Sequence, residues 1–571
     1  MKKINITSWL IGGLLILAPL FMMSCKKSKE EERESKTVAK QTNLRIIPSD
    51  ALVVIEIDLK GFATKSKVAQ LKEDIKNLVT SVGEEELTSQ MAFFDNPLNL
   101  GIDFLKPMYA FVPKFDPSKE SSPSIFFALE IKDQSKLIDY LQSNTELTTK
   151  EIDDIFWVYF DNTVVAAMTG NTLLISGTND RIANYKKILQ QNNNFFATDA
   201  GKFMAQHSGD ITCMVNLKSL PEVVYKELEE ELDELNEIPE VKKILSSLSN
   251  TQIVANINFE PGKVSLNLFT KGLNTQIIDR VCNTIQPRDL EQLPNNLLAA
   301  LALGVDGKEI WNIYQDIIAP NFSHNEREEI YQYKDLCNSI NGTILASAGL
   351  TELSQNAEPE MLVVVPTSKS KVENTFGELL DELPNNFYIG GDNSHFTISN
   401  LSNYQYGKVS EPFKNAANAA SCYAYAYINL KPIIDVTLNE QANKLTYAEK
   451  KCFAEIQSLF GLMDYIDLKV KRNEISLALN LTDSSENSLY LILNRFMNCV
   501  KVFMEDENAG EEAIDQLVNA ARGAINAMDD YSGSNSDSQD DYYYDYLDDY
   551  SYDDYSYDDY SDDDYGYDYC Y

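Results

Sequence analysis

Histidine is nearly missing: the 571-residue chain holds three, His207, His324 and His395, far apart and in no HxH or HExxH pattern. A histidine-based metal site therefore has no local signature. Also missing are a GxSxG elbow, a Walker loop and a GxGxxG run, the marks of serine hydrolases, P-loop NTPases and dinucleotide enzymes. The eight cysteines, at 25, 213, 282, 337, 422, 452, 499 and 570, form no CxxC and no metal-type spacing. The internal ones read as small buried hydrophobes. Positive charge is scarce as well, 49 Lys and Arg against 87 Asp and Glu, which gives −38. Without a basic stripe to displace counterions from phosphates, nucleic acid is excluded as a partner. No motif assigns a catalytic, cofactor or metal-binding residue.

What is present is mostly globular. Hydrophobic residues are 44% and charged ones 24%, ordinary values for a folded body. A single core stops growing near about 250 to 300 residues, so a two-part body is expected. The first residues differ. Met1-Lys2-Lys3 precedes an uncharged apolar run, Trp9 to Met23, too short for the ~20 residues of a bilayer span but suited to a signal peptide. The run ends in Ser24-Cys25, which resembles the lipobox of bacterial lipoproteins, although Met22 stands where that motif prefers Leu. The resemblance implies cleavage after residue 24 and acyl chains, palmitate among them, on Cys25. Each buried methylene contributes about 0.8 kcal/mol and durable anchoring needs more than one chain, so a multiply acylated Cys25 would hold the protein to a membrane. Residues 25–43 are polar and aperiodic, a flexible tether. Lys29-Glu30-Glu31-Glu32 resembles the export signal of surface lipoproteins, so the expected place is the outer membrane, at the cell surface or the periplasmic face.

From Ile47 the texture is that of an α+β protein. Ile55, Ile57 and Leu59 alternate with Glu56, Asp58 and Lys60, a half-buried strand, and a helix is predicted from Thr64 to Val82. A strand over 124–132 precedes a helix near Lys136–Gln142. Phe156–Phe160, Thr163–Met168 and Thr172–Gly177 read as a meander turning at Asp161-Asn162 and Gly170-Asn171. Then follow a strand at Ile211, an acidic helix over Tyr225–Leu235 and a hairpin around Pro261-Gly262. Its glutamates read as a solvated helix face.

The second half repeats this order. Pro294 stands where Pro48 stood (offset 246), Lys371 where Lys136 stood (235), Asn429-Leu430-Lys431 where Asn216-Leu217-Lys218 stood (213), and Leu468–Leu479 where Ile257–Leu268 stood (211). The offset only shrinks, as loop deletions in a duplicated domain would produce. Two similar lobes are predicted, residues 44–285 and 286–510, each an antiparallel sheet with packed helices. A C-terminal helix over 511–528 and a disordered tail over 529–571 follow. The tail carries 16 Asp, 14 Tyr and no Lys or Arg, so it would bring carboxylates together if it packed. Weak cation binding is its expected chemistry; "DDDYGYD" fails as a calcium loop because Ser561 and Tyr565 fall at ligand positions.

Ile47-Pro48, Asp50-Ala51 and Leu59-Lys60, shortly behind such a signal, resemble the start of a family of Bacteroidetes lipoproteins known only as a domain of unknown function. The resemblance covers most of residues 44–510 and implies an address and a fold, not a chemistry. One cluster invites a catalytic reading, Asp392, Ser394 and His395 in "GGDNSHF", but Gly-Gly-Asp-Asn is ordinary turn chemistry. The leading expectation is a lipid-anchored, non-enzymatic binding module for a protein or glycan. The alternatives are an envelope hydrolase whose site assembles only in space, marked by a cleft of perturbed carboxylates, and a tail that acts as a partner-binding arm. A broad exposed apolar patch would mark the binding module.

Overall fold

The computed structural model describes residues 46–505, apart from residues 69, 72–99, 115–123, 144–146, 177–181, 190–194, 222–223, 227–238, 351–358, 402–403, 405–407, 410 and 443–446. The signal segment, Cys25, the tether, most of the acidic helix, the helix over 511–528 and the Asp/Tyr tail lie outside the described residues. Every described residue belongs to one compact unit, residues 1–517.

The predicted mixture of helices and antiparallel sheet is what forms. Ten strands precede residue 285: β1 (Val53–Ile57), β2 (Met108–Val112), β3 (Phe126–Glu130), β4 (Leu147–Ile152), β5 (Ile155–Phe160), β6 (Thr163–Thr169), β7 (Thr172–Ser176), β8 (Ile211–Asn216), β9 (Gln252–Glu260) and β10 (Lys263–Lys271). Eight follow it: β11 (Leu297–Asp306), β12 (Asn341–Leu350), β13 (Pro359–Val365), β14 (Tyr388–Gly391), β15 (Phe396–Ser399), β16 (Ala424–Asn429), β17 (Met463–Lys471) and β18 (Glu474–Leu481). All 18 belong to one sheet. The pairings give the spatial order β4-β5-β6-β7-β3-β2-β1-β8-β9-β10 and then β18-β17-β16-β11-β12-β13-β15-β14, every neighbour antiparallel.

The two halves join edge to edge through β10 and β18. There Leu266 pairs with Leu477, Val264 with Leu479 and Leu268 with Ile475. Positions 264 and 475 are 211 apart, as are 266 and 477, and 268 and 479, so at that offset the pairing is symmetric about the Leu266–Leu477 pair. The β1–β8 register (Val54 opposite Met214) carried over by 246 and 213 gives Ala300 opposite Tyr427, which is the observed β11–β16 register. The β8–β9 register does not carry over as closely: offsets of 213 and 211 place Ala424 opposite Leu468, whereas it pairs with Val470. An even slip keeps every side chain on its face.

Local chemistry explains the turns. Asp161 and Asn162 both take positive φ in the β5–β6 hairpin, as do Asp153 and Asp154 between β4 and β5, a conformation Asn and Asp tolerate best among non-glycine residues. The first helix enters at Leu59 rather than at the predicted Thr64, because the Asp58 carboxylate accepts a hydrogen bond from the Gly61 N–H (2.9 Å) and caps it directly behind β1. The first half packs Trp157, Phe126 and Tyr185 edge to face, with the Tyr185 hydroxyl accepting from the Ser176 N–H. The second half has its own core around Leu345, Phe413, Tyr425 and Tyr427. Among the internal cysteines, Cys422, Cys452 and Cys499 are buried and Cys213, Cys282 and Cys337 half-buried, all as free thiols.

Candidate functional site

Alternation along a strand sorts side chains to two faces, and the usual outcome buries the apolar one. Across the middle of this sheet the buried face carries a polar row beside its apolar core of Val54, Met214 and Val254. On β1, Glu56 is 6% exposed, while its apolar neighbours Ile55 and Ile57 are only half-buried. The period-2 pattern of the first strand holds, but its polar side is the more enclosed.

Pairing carries that polar side from strand to strand. Glu56 lies opposite Tyr109 and Thr212, Thr212 opposite Asn256, Asn256 opposite Asn267, Asn267 opposite Ser476 and Ser476 opposite Lys469. A buried polar group costs free energy unless hydrogen-bonded. Here the side chains bond one another: Asn258 and Asn267 both donate to Asn256 Oδ1 at 2.9 Å, Ser476 donates to Asn267 Oδ1 at 2.6 Å, and Asn256 Nδ2 donates to the His207 carbonyl. Further along, Asp467 accepts from Asn418 and pairs with Lys469 at 3.3 Å. Burial first, then the Glu56 carboxylate, pushes the Tyr109 phenol far above its usual range. Burial, then Asp467, does the same to Tyr425, and burial with Asp464 and Tyr465 pushes Tyr427 up to about 12. These phenols stay protonated near neutrality. Burial also pushes the Cys499 thiol up to about 11, away from the thiolate a nucleophile needs.

The opposite face is aliphatic and open. One row starts at Leu266 and continues through Leu477, Leu468, Ala426, Leu301 and Ala346 to Val363. In the other direction it passes Ile257, Ile211 and Ile57 to Met108. No charged or hydrogen-bonding side chain interrupts it. Leu489 and Leu493 of the helix Ser488–Glu505 belong to the cluster that holds Ile57, Ile211 and Phe259, so that end is covered. From β10 onward it is covered at two places, where Leu479 and Leu481 meet Leu491 and where Val365 and Phe396 meet Leu336 and Val372, and open between them: Leu266 is 44% exposed, Leu477 40%, Ile475 42% and Leu301 42%, joined by Leu303, Ile428 and Met361. Contiguous apolar exposure of this kind marks an interaction site.

The other sequence candidates come out differently. Asp392, Ser394 and His395 are together at the β14–β15 turn, but Asp392 Oδ1 accepts from the Ser394 N–H and hydroxyl and from the His395 N–H. Ser394 Oγ and Asp392 Oδ1 also lie 3.0 and 3.8 Å from the same His395 nitrogen, Nδ1, whereas a triad holds nucleophile and carboxylate on opposite ring nitrogens. These bonds hold the Asp392 carboxyl below the usual range, and the cluster is the turn the sequence suggested. His207 stacks on Phe269 at 3.9 Å and His324 lies on an exposed helix. Among the described residues no group of three His, Cys, Asp or Glu is placed to hold a metal ion. Among them, too, no helix is long and apolar enough to cross a membrane. The open face was missed in the sequence because alternation names the faces of a strand without saying which is covered.

The family model of a domain of unknown function, DUF4836, matches residues 43–381. No curated protein matches. Among solved structures the chain is similar to crystal forms IV and I of TP0453, at 8% and 9% identity. The likeness covers 40% of this chain in each case and 80% and 78% of that protein, with TM-scores of 0.22 and 0.21.

Proposed function

The chain belongs to the DUF4836 family, a domain of unknown function, and from that premise we propose a non-enzymatic binding protein that receives an apolar partner on the open face of its sheet. The observation that carries this reading is the uninterrupted aliphatic row from Leu266 to Val363, in which Leu266, Leu477 and Leu301 are exposed and the rest half-buried, while polar side chains on the reverse face are buried. A sequence that leaves one face aliphatic and open while enclosing a polar row on the other has a reason outside stability, since departures from local consistency collect at functional sites.

The protein works at a membrane. Met1-Lys2-Lys3, the apolar run and Ser24-Cys25 support an acylated Cys25, and the acidic residues behind it support the outer membrane and the lipoprotein character of the resembling Bacteroidetes family. The body is a duplication: shared element order, shrinking offsets and the mirrored β10–β18 register support it.

Nile red, an uncharged apolar dye, tests the face. The wild-type chain brightens it, and Leu477→Glu reduces the signal at least fivefold with an unchanged circular dichroism spectrum. Equal brightening by the two proteins refutes the reading.

A further inference from the structure

Within the open face, and resting on its being the binding surface, we propose that a trough along β16 holds one straight alkyl chain, the acyl chain of a lipid with an uncharged or zwitterionic headgroup. The floor is Ala424 and Ala426. Ala426 lies between Leu301 and Leu468, and Ala424 between Leu303 and Val470, so small residues on one strand are walled by large ones on both neighbours. Walls two strand spacings apart stand about 10 Å from each other, enough for a single hydrocarbon chain. Ile428, which lies opposite Ala299, closes one end, so the stretch with a small floor covers Ala424 and Ala426 and runs about 7 Å, seating a short run of methylenes of one acyl chain.

Composition, charge and area select this occupant. The walls and floor are aliphatic, and β16 pairs with β11 on one side and β17 on the other, leaving its backbone little to offer a directional partner. Protein interfaces instead carry about one hydrogen bond per 100–200 Å² and favour Tyr, Trp and Arg. The open strip spans seven strands, β10 to β13, or about 29 Å by 14 Å, about 400 Å². That is half of the ~800 Å² per partner that a stable dimer needs. The net charge of −38 repels anionic headgroups.

The test is displacement of Nile red from the full chain by unbranched primary alcohols of 4, 6 and 8 carbons. A fully enclosed methylene tightens binding about fourfold; on an open trough, with about half of each methylene covered, the expected gain is about twofold per carbon and about 16-fold across the series. Ala426→Leu fills the trough without adding charge, so it should abolish this slope while Nile red still binds elsewhere on the face. Ala346→Leu, on neighbouring β12, should leave the slope intact. A flat series with wild type, or an unchanged slope in Ala426→Leu, overturns the alkyl-chain assignment but leaves the apolar face standing. Failure of wild type to bind Nile red removes the face itself. A concentration-dependent dimer that excludes the dye overturns both in favour of a second copy. Vesicles of phosphatidylcholine should compete with the alcohols better than vesicles containing phosphatidylglycerol, and the reverse order would contradict the headgroup assignment.

Discussion

Asp210 shows how single residues hold the centre of the sheet. Buried at the start of β8, it accepts both Lys65 Nζ contacts, at 2.7 and 2.6 Å, and the Phe259 N–H at 2.7 Å, so it ties the first helix to β9. Asp210→Ala strands a partly buried ammonium and a backbone donor, and should cost about 2 kcal/mol in urea unfolding. His207 gives a pH signature. Desolvation holds its imidazole below the usual range, with Glu474 acting weakly the other way. The unfolded chain, with a value near 6.5, therefore takes up the proton first as pH falls, and the folded state loses stability below about pH 6.5. His207→Phe keeps the stack on Phe269 and should flatten stability between pH 7 and 5.

At the element scale the buried polar row behaves as a network. Asn267 donates to Asn256 and accepts from Ser476, so Asn267→Ala leaves two enclosed groups short of partners and should lower stability by about 2 to 3 kcal/mol. Asn267→Leu would be no milder, because it removes the same bonds. Legibility in the sequence divides along the same line. β9 and β10 were readable from alternation and Pro261-Gly262, and the β5–β6–β7 meander from its turn residues, since both signals are local. β2, β4 and β12 gave weaker signals: "MYAFV" is nearly all apolar, "LTTKEI" carries little hydrophobic contrast, and "NGTILASAGL" is diluted by Gly, Ser and Ala. Asp58 acted as the cap that moved the first helix forward, a Ser/Thr/Asp/Asn signal present in the sequence but overridden by the later apolar periodicity.

For the whole molecule, the mixture of helices and antiparallel sheet is legible but the joint between the halves is not, because edge pairing of β10 with β18 depends on register across more than 200 residues. That joint makes a prediction. If the halves share one sheet, they unfold together, so in a Trp9→Phe chain Trp157 fluorescence with Trp311→Phe and Trp311 fluorescence with Trp157→Phe should give coincident urea midpoints. Two separated midpoints would show halves that fold independently. The aliphatic face lies on both sides of the Leu266–Leu477 pair, and the helix Ser488–Glu505 covers the first-half side through Leu489 and Leu493 and the Leu479–Leu481 end of β18 through Leu491. The exposed strip, and the trough within it, are thus confined to the second half and the joint.

The most direct measurement is a native mass spectrum of the chain purified without detergent exchange. The wild type should carry adducts with the mass of alkyl-chain lipids, and Leu477→Glu should have lost most of them. A bare wild-type chain, or the same adducts in both proteins, would contradict the sheet face as the working surface.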